Sequence, residues 1–294
     1  MSLRKEKFFA LAALDFEGQS IEELKVSWRE TLNTGMHGLC FSPYEEGQEP
    51  GDTLSEAQVR RRLEIVKPYT NWIRSFSCTE GNELIPIIAK ELGMKTLVGA
   101  WLGNDSETNA AEIESLVKLA DQNYVDVAAV GNEVMYRGDL TEEELLKFIY
   151  ETKERISGIP VGYVDAYYEF TERPAITEAC DIILANCYPF WEGCDQDYAL
   201  LYMKDMYNRA VRAGNGKKVI ITETGWPNKG TRLEGAFPSD KNAIKYFINA
   251  QKWSQEEDIE IFYFASFDES WKVGDEGDVG AYWGLWDKHE QFKF

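Results

Sequence analysis

Short apolar runs recur along the chain, and most are followed by a stretch whose apolar positions repeat with helical spacing. That alternation marks strands lying parallel with helices packed across them. Eight runs stand out, over residues 38–41, 72–76, 96–101, 125–130, 161–164, 182–186, 219–222 and 259–265. They are nearly continuous in apolar character, as strands covered on both faces must be. Eight such strands predict a closed (β/α)8 barrel in a single domain spanning the chain. An open doubly wound sheet is the alternative, but no glycine-rich phosphate loop follows the first run.

Between the runs, Ser55 is placed to cap a helix over 55–67 that must end before Pro68, and Thr141 opens a capping box with Glu144 ahead of Leu145 and Leu146. Further helices are expected over 82–92 with Gly93 as the stop, and over 109–120, 200–213 and 239–255. The fifth crossover is weaker, because Pro174 interrupts 168–180. Residues 20–34 read as an extra helix ahead of the first strand, within an N-terminal extension of about 1–35, in a position to seal the barrel floor.

Composition narrows the chemistry. A chain of 294 residues with 44% hydrophobic content can bury a core that needs neither disulfides nor a structural metal. The formal charge of -20 repels polyanions, and no basic block reverses it locally, so nucleic acid and anionic membrane are poor partners. No stretch reaches the ~18 apolar residues of a membrane span. Cys40, Cys78, Cys180, Cys187 and Cys194 are odd in number and lack a C-x2-C pair, which speaks against a disulfide framework and a zinc site while leaving one bridge open. His37 and His289 are too few for a histidine triad or a multi-histidine metal site. Arg4, Lys5 and Lys7 before an apolar stretch faintly mimic an export signal, but Asp15-Phe16-Glu17 stands where small residues should mark cleavage. An ordinary element of the fold is expected there. The compartment stays open, since a natural signal trimmed ahead of Met1-Ser2-Leu3 would leave no trace.

Barrel active sites lie beyond the C-terminal strand ends. The fourth run leads through Gly131-Asn132 into Glu133, and the seventh through Thr222 into Glu223. Two carboxyl groups in unlike environments can divide the work of cleaving a glycosidic bond, one protonating the leaving oxygen and the other capturing the anomeric carbon. No metal or organic cofactor is then needed. Because pyranose rings present C–H faces, aromatics at or beyond strand ends are candidate sugar contacts: Trp101, Tyr136, Trp191, Trp226, Trp271 and Trp283. Trp28, Trp72 and Trp253 fall where packing is the simpler reading, and His37 sits at the strand-one entrance.

The segments Ala129-Val130-Gly131-Asn132-Glu133-Val134, Ala185-Asn186-Cys187-Tyr188-Pro189 and Thr222-Glu223-Thr224-Gly225-Trp226-Pro227 resemble glycoside hydrolase family 17, the β-1,3-glucanases. The likeness continues through Phe267-Asp268-Glu269-Ser270-Trp271-Lys272 and Gly284-Leu285-Trp286. It implies a retaining enzyme with Glu133 as acid/base and Glu223 as nucleophile. Asn132 would bond the sugar beside the acid, and Tyr188 would sit near the nucleophile. Glu269 and Lys272 would form a polar cluster after strand eight. The opening Gly38-Leu39-Cys40-Phe41-Ser42-Pro43-Tyr44 looks closer to fungal and bacterial members than to plant ones and adds Tyr44 to the substrate-binding set. Phe76 departs from the tyrosine that many members carry. The implied substrate is a β-1,3-glucan, either hydrolysed or transferred to another sugar through the same intermediate. A glucan-binding protein without catalysis is the remaining alternative, and the presence of both glutamates argues against it.

Overall fold

The computed structural model describes residues 14, 16–274 and 276–294. Eight parallel strands close on themselves in chain order: β1 (Met36–Cys40), β2 (Thr70–Ser75), β3 (Lys95–Ala100), β4 (Val127–Asn132), β5 (Val161–Ala166), β6 (Ile182–Asn186), β7 (Val219–Thr224) and β8 (Ile261–Tyr263). Closure is made where Gly38 and Leu39 of β1 lie in register with Phe262 and Tyr263 of β8. A side chain at Gly38 would run into the Phe262 ring, so glycine lets that last seam close. The strands are buried along nearly their whole length, as their unbroken apolar runs require.

The outer layer holds α1 (Ile21–Asn33), α2 (Glu56–Val66), α3 (Leu84–Glu91), α4 (Ser106–Asp121), the short turn α5 (Val134–Arg137), α6 (Glu142–Arg155), α7 (Glu169–Glu172), α8 (Pro174–Ala179), α9 (Gln196–Gly214) and α10 (Asp240–Glu257). Capping boxes open α1 at Ser20 with Glu23 and α6 at Thr141 with Glu144. Two helices begin earlier than their apolar period suggests. Asp105 accepts from the Thr108 amide at 2.7 Å and Asp195 from the Asp197 amide at 2.9 Å, so polar first turns are recruited by the caps. Pro174 divides the fifth crossover into α7 and α8 and serves as the first residue of the second.

The role expected for the extra helix is corrected. Among the described residues β8 is followed only by short 3-10 turns, Ser270–Val273 and Gly277–Tyr282, so no helix of its own covers the seam between β8 and β1. Rather than sealing the floor, α1 packs beside α10 and takes that vacant outer place. Its fully buried Trp28 lies 5.6 Å from the Phe247 ring and edge-on to Phe292 and Phe294 at 5.8 and 5.4 Å. The C-terminal tail is thereby clamped between α1 and the barrel, with Arg29 Nε donating to the Phe294 carbonyl at 3.2 Å. At the N-terminal rim His37 stacks on Trp72 and faces Glu260, a packing role as expected.

The N-terminal stretch ahead of Leu14 lies outside the described residues. All five cysteines are free thiols. No helix among the described residues is long and apolar enough to cross a membrane. If α1 completes the outer ring, Trp28→Ala should cost about 3–5 kcal/mol in urea unfolding. Val26→Ala, on the exposed face of the same helix, should stay within about 0.5 kcal/mol. Equally small losses from the two would show α1 to be a dispensable appendage.

Candidate active site

At the tip of β4 the backbone passes through Gly131 with φ 87° and then through Glu133 with φ 51° and ψ 30°. The left-handed conformation is costly for a residue with a β-carbon, so it persists only where neighbours impose it. Here the Glu133 amide is pinned to the Val164 carbonyl of β5 at 2.7 Å, and the chain turns at once into α5. The result aims the Glu133 carboxyl across the barrel mouth.

Glu223 approaches from the tip of β7, where the pairing with both β6 and β8 shifts register. The residue is only 6% exposed, and both oxygens of its carboxylate accept hydrogen bonds. Arg74 Nη1 donates to Oε1 at 2.6 Å, the Tyr188 hydroxyl to Oε2 at 2.7 Å, and Asn186 Nδ2 to Oε1 at 3.1 Å. Those donors serve an anion. Two residues on, a side chain at Gly225 would overlap the Phe264 carbonyl, so only glycine lets the chain leave the strand there.

Arg74 projects inward from β2 and is wholly buried, with its guanidinium 4.1 Å over the Phe76 ring. Burial alone would depress its pKa, but the Glu223 charge and hydrogen bond outweigh that and raise it. Its other amino group, Nη2, donates to Asn132 Oδ1 at 2.7 Å. This leaves the Asn132 amide nitrogen as the end free to meet a ligand. Phe76, the departure noted in the second strand motif, thus supplies the flat face beneath the arginine.

One side chain joins the two glutamates. Asn186 Nδ2 also donates to Glu133 Oε1 at 2.8 Å, while its Oδ1 accepts from Thr222 Oγ1 at 2.9 Å, which fixes the amide's orientation. The two Oε1 atoms are therefore no farther apart than the sum of the two bonds from that nitrogen, 5.9 Å. Inverting glycosidases space their carboxyl groups by roughly 6.5–9.5 Å, retaining ones by roughly 5–5.5 Å. Among the described residues Glu133 has no ion-pair partner of its own. Burial and then the charge of Glu223 push its pKa up to about 7, with a lesser push from Asp165, against the opposing Asn186 hydrogen bond and the charge of Arg74.

A second group flanks this pair. Lys272 lies 3.3 Å from Glu269 and 4.2 Å over the Phe264 ring, which packs edge-on to Tyr188. Trp271 donates its indole N–H to Glu269 at 3.2 Å and meets the Tyr44 ring edge-on. Arg62, buried beneath, holds the Tyr44 segment by its carbonyl at 2.7 Å. Trp191, Trp101 and Tyr136 are all exposed enough to meet a ligand, Tyr136 one turn beyond Glu133.

Trp226 is corrected as a sugar contact. Its ring lies inside the core between Phe190 and Tyr246, at 5.3 and 5.4 Å, and its N–H is spent on the Phe237 carbonyl. Trp283 is likewise buried, beside Tyr188 and Trp191. Trp28 and Trp253 are packing residues, as read from their positions. Two central residues were not foreseen. Arg74 carried a usable signal, a lone charge in the middle of a strand, and Asn186 stood within a quoted motif without a role of its own. Among the described residues no group of three or more His, Cys, Asp or Glu side chains is placed to hold a metal.

A family model described as the BtgE/BtgC glycoside hydrolase domain matches residues 38–284, which include every residue of this site. A glucan 1,3-beta-glucosidase of Arthroderma benhamiae is 29% identical, the alignment covering 83% of this chain and 85% of that protein. A glucan 1,3-beta-glucosidase of Schizosaccharomyces pombe is 28% identical over 98% of this chain and 95% of its own length. Among solved structures, the glycoside hydrolase family 17 β-1,3-glucanosyltransferase of Rhizomucor miehei matches with a TM-score of 0.79 at 28% identity, covering 89% of this chain and 96% of that one. An active-site mutant of the same enzyme, in complex with laminaritriose, matches equally well. With most of its length matched by the family model and its barrel by a family 17 structure, this chain belongs to the BtgE/BtgC glycoside hydrolase domain family.

Proposed function

We propose that the chain acts on β-1,3-linked glucan by double displacement, with Glu223 as nucleophile and Glu133 as acid and then base. The observation that carries the assignment is the Asn186 bridge, which brings two carboxyl groups within 5.9 Å while their surroundings differ. Glu223 has a guanidinium and a phenol to hold it as an anion. Glu133 is kept protonated into neutral pH by burial and by its anionic neighbours. In the first step a Glu223 oxygen attacks the anomeric carbon as Glu133 gives its proton to the departing oxygen, leaving an α-linked glycosyl-enzyme. In the second, Glu133, now a carboxylate, takes a proton from the incoming hydroxyl, and the β-configuration is restored.

Asn132 is assigned to a sugar hydroxyl through its free amide nitrogen. Tyr44, Trp271, Glu269 and Lys272 are assigned to one wall of the groove, and Trp191 and Tyr136 to exposed aromatic contacts. A second reading concerns only the acceptor. Two of the relatives are named as glucosidases and a third as a β-1,3-glucanosyltransferase, and both outcomes follow from one intermediate according to whether water or a sugar hydroxyl reaches it first. Oligosaccharides longer than the substrate, accumulating as its concentration rises, distinguish transfer from hydrolysis. Neither route requires a metal.

Because the acid form of Glu133 is the active one in the first step, kcat/KM on laminari-oligosaccharides should fall as pH rises through about 7. Glu133→Gln should abolish that limb, and an unchanged limb would assign it to another group. The roles themselves separate with azide. Glu133→Ala, given an activated aryl β-glucoside of the laminari series, should still form the intermediate and be accelerated by azide to yield a β-glycosyl azide. Glu223→Ala should yield only the α-azide. The reverse pairing of products would exchange the two assignments.

A further inference from the structure

Beside Glu133 lies a buried pair that the mechanism above does not use. Asp165 and Tyr163 share one face of β5, both with no exposed surface. The Tyr163 hydroxyl donates to Asp165 Oδ2, and it accepts from the Met135 amide at 2.9 Å. Asp165 Oδ2 is approached by the Tyr136 amide at 3.4 Å, and Oδ1 accepts from the Ala166 amide at 2.7 Å. Met135 and Tyr136 are the second and third residues after Glu133, in the first turn of α5. The Tyr163 ring also lies against Gly131, where a β-carbon would touch it at 3.4 Å.

We propose that Tyr163 and Asp165 are the positioning residues of the acid/base: they hold the first amides of α5 and so keep Glu133 in its left-handed conformation, facing the leaving oxygen. The direction of the chain of bonds is set by its members. A backbone N–H can only donate, so the Met135 amide gives to the Tyr163 oxygen, and the phenol proton must point to Asp165. A four-residue turn has too few internal bonds to secure a strained residue at its start, and a buried polar network supplies the missing rigidity. Phenylalanine at 163 would leave the Met135 amide without its partner in a buried space and Asp165 Oδ2 with only the distant Tyr136 amide.

The same pair bears on proton affinity. The charged groups facing Glu133 are Glu223 from β7, Arg74 from β2 and Asp165 from β5. Asp165 in turn faces Glu169 of α7, which is paired with Arg173 at 2.6 Å. Burial pushes the Asp165 carboxyl itself up to about 6, so above that pH an anionic Asp165 works with Glu223 to keep the acid protonated, and against Arg74.

The inference rests on Glu133 being the acid, and the test separates the two claims. Tyr163→Phe, Asp165→Asn and Glu133→Ala are prepared in the full chain. Each is assayed on laminari-oligosaccharides, whose departing sugar needs a proton, and on a dinitrophenyl β-laminaribioside, whose leaving group does not. Tyr163→Phe should lose about 100-fold in kcat/KM on the oligosaccharides, the scale of a misplaced catalytic group. The kcat/KM for dinitrophenol release, which reports only the first step, should stay within about twofold. Asp165→Asn should show the same selectivity and move the basic limb of its residual oligosaccharide activity to lower pH. Equal losses on both substrates would make the pair general scaffolding, and no loss on either would overturn the proposal directly. If Asp165→Asn fails to fold, Tyr163→Phe alone decides. Should Glu133→Ala itself lose both substrates equally, the acid assignment fails first and the inference with it.

Discussion

Two carboxyl groups less than 6 Å apart, at the mouth of a closed barrel, repel one another strongly enough that both cannot be ionised without help. The contact between Arg74 and Glu223 resolves this. It gives one carboxyl a cationic partner and leaves the other, pushed up by burial first and by its neighbour's charge second, to hold its proton. Removing one partner of a buried pair typically costs about 3–5 kcal/mol, because the remaining charge has no water to turn to. The arginine therefore underwrites both the folded barrel mouth and the division of labour within it. Its second arm, on Asn132, ties the support of Glu223 to the residue beside Glu133.

The barrel makes such a cluster possible by bringing distant parts of the chain to one rim. Arg74 comes from β2, Asn132 and Glu133 from β4, Asp165 from β5, Asn186 from β6 and Glu223 from β7, each at or near the C-terminal end of its strand. Irregularity is concentrated at those ends. Register shifts interrupt the β4–β5, β6–β7 and β7–β8 pairings, and Glu133 takes a left-handed conformation. A regular strand alternates side chains strictly between faces, so departures of this kind re-aim individual residues.

Much of this was legible in the sequence, and the misses have physical causes. All eight apolar runs became strands, because a strand buried on both faces has little freedom in composition. Their polar ends were harder to see: β7 continues through Glu223 to Thr224 and β4 through Asn132, past where apolarity stops. Both glutamates were identifiable from position and motif. Arg74 was not, since whether an internal arginine faces the barrel axis or a helix depends on register, which one strand alone does not encode. Trp226 misled for a related reason. Position beyond a strand tip says nothing about which way a ring folds, and here Phe190 and Tyr246 offered it a buried slot. The place of α1 depended on there being no α-helix after β8 among the described residues, a global property of the ring.

The central claim is that Glu223 forms a bond to the sugar while Glu133 does not. A laminaribiosyl fluoride carrying fluorine at C2 suits the test, because the electron-poor sugar slows both steps while the good leaving group still allows the first. Incubation with the unmodified chain, followed by peptic digestion and mass spectrometry, reads the bond directly. The account predicts one added glycosyl unit on the peptide containing Thr222-Glu223-Thr224, with loss of activity in proportion to labelling. A label on Glu133 or on any other carboxyl would contradict it, as would continued turnover without a covalent adduct.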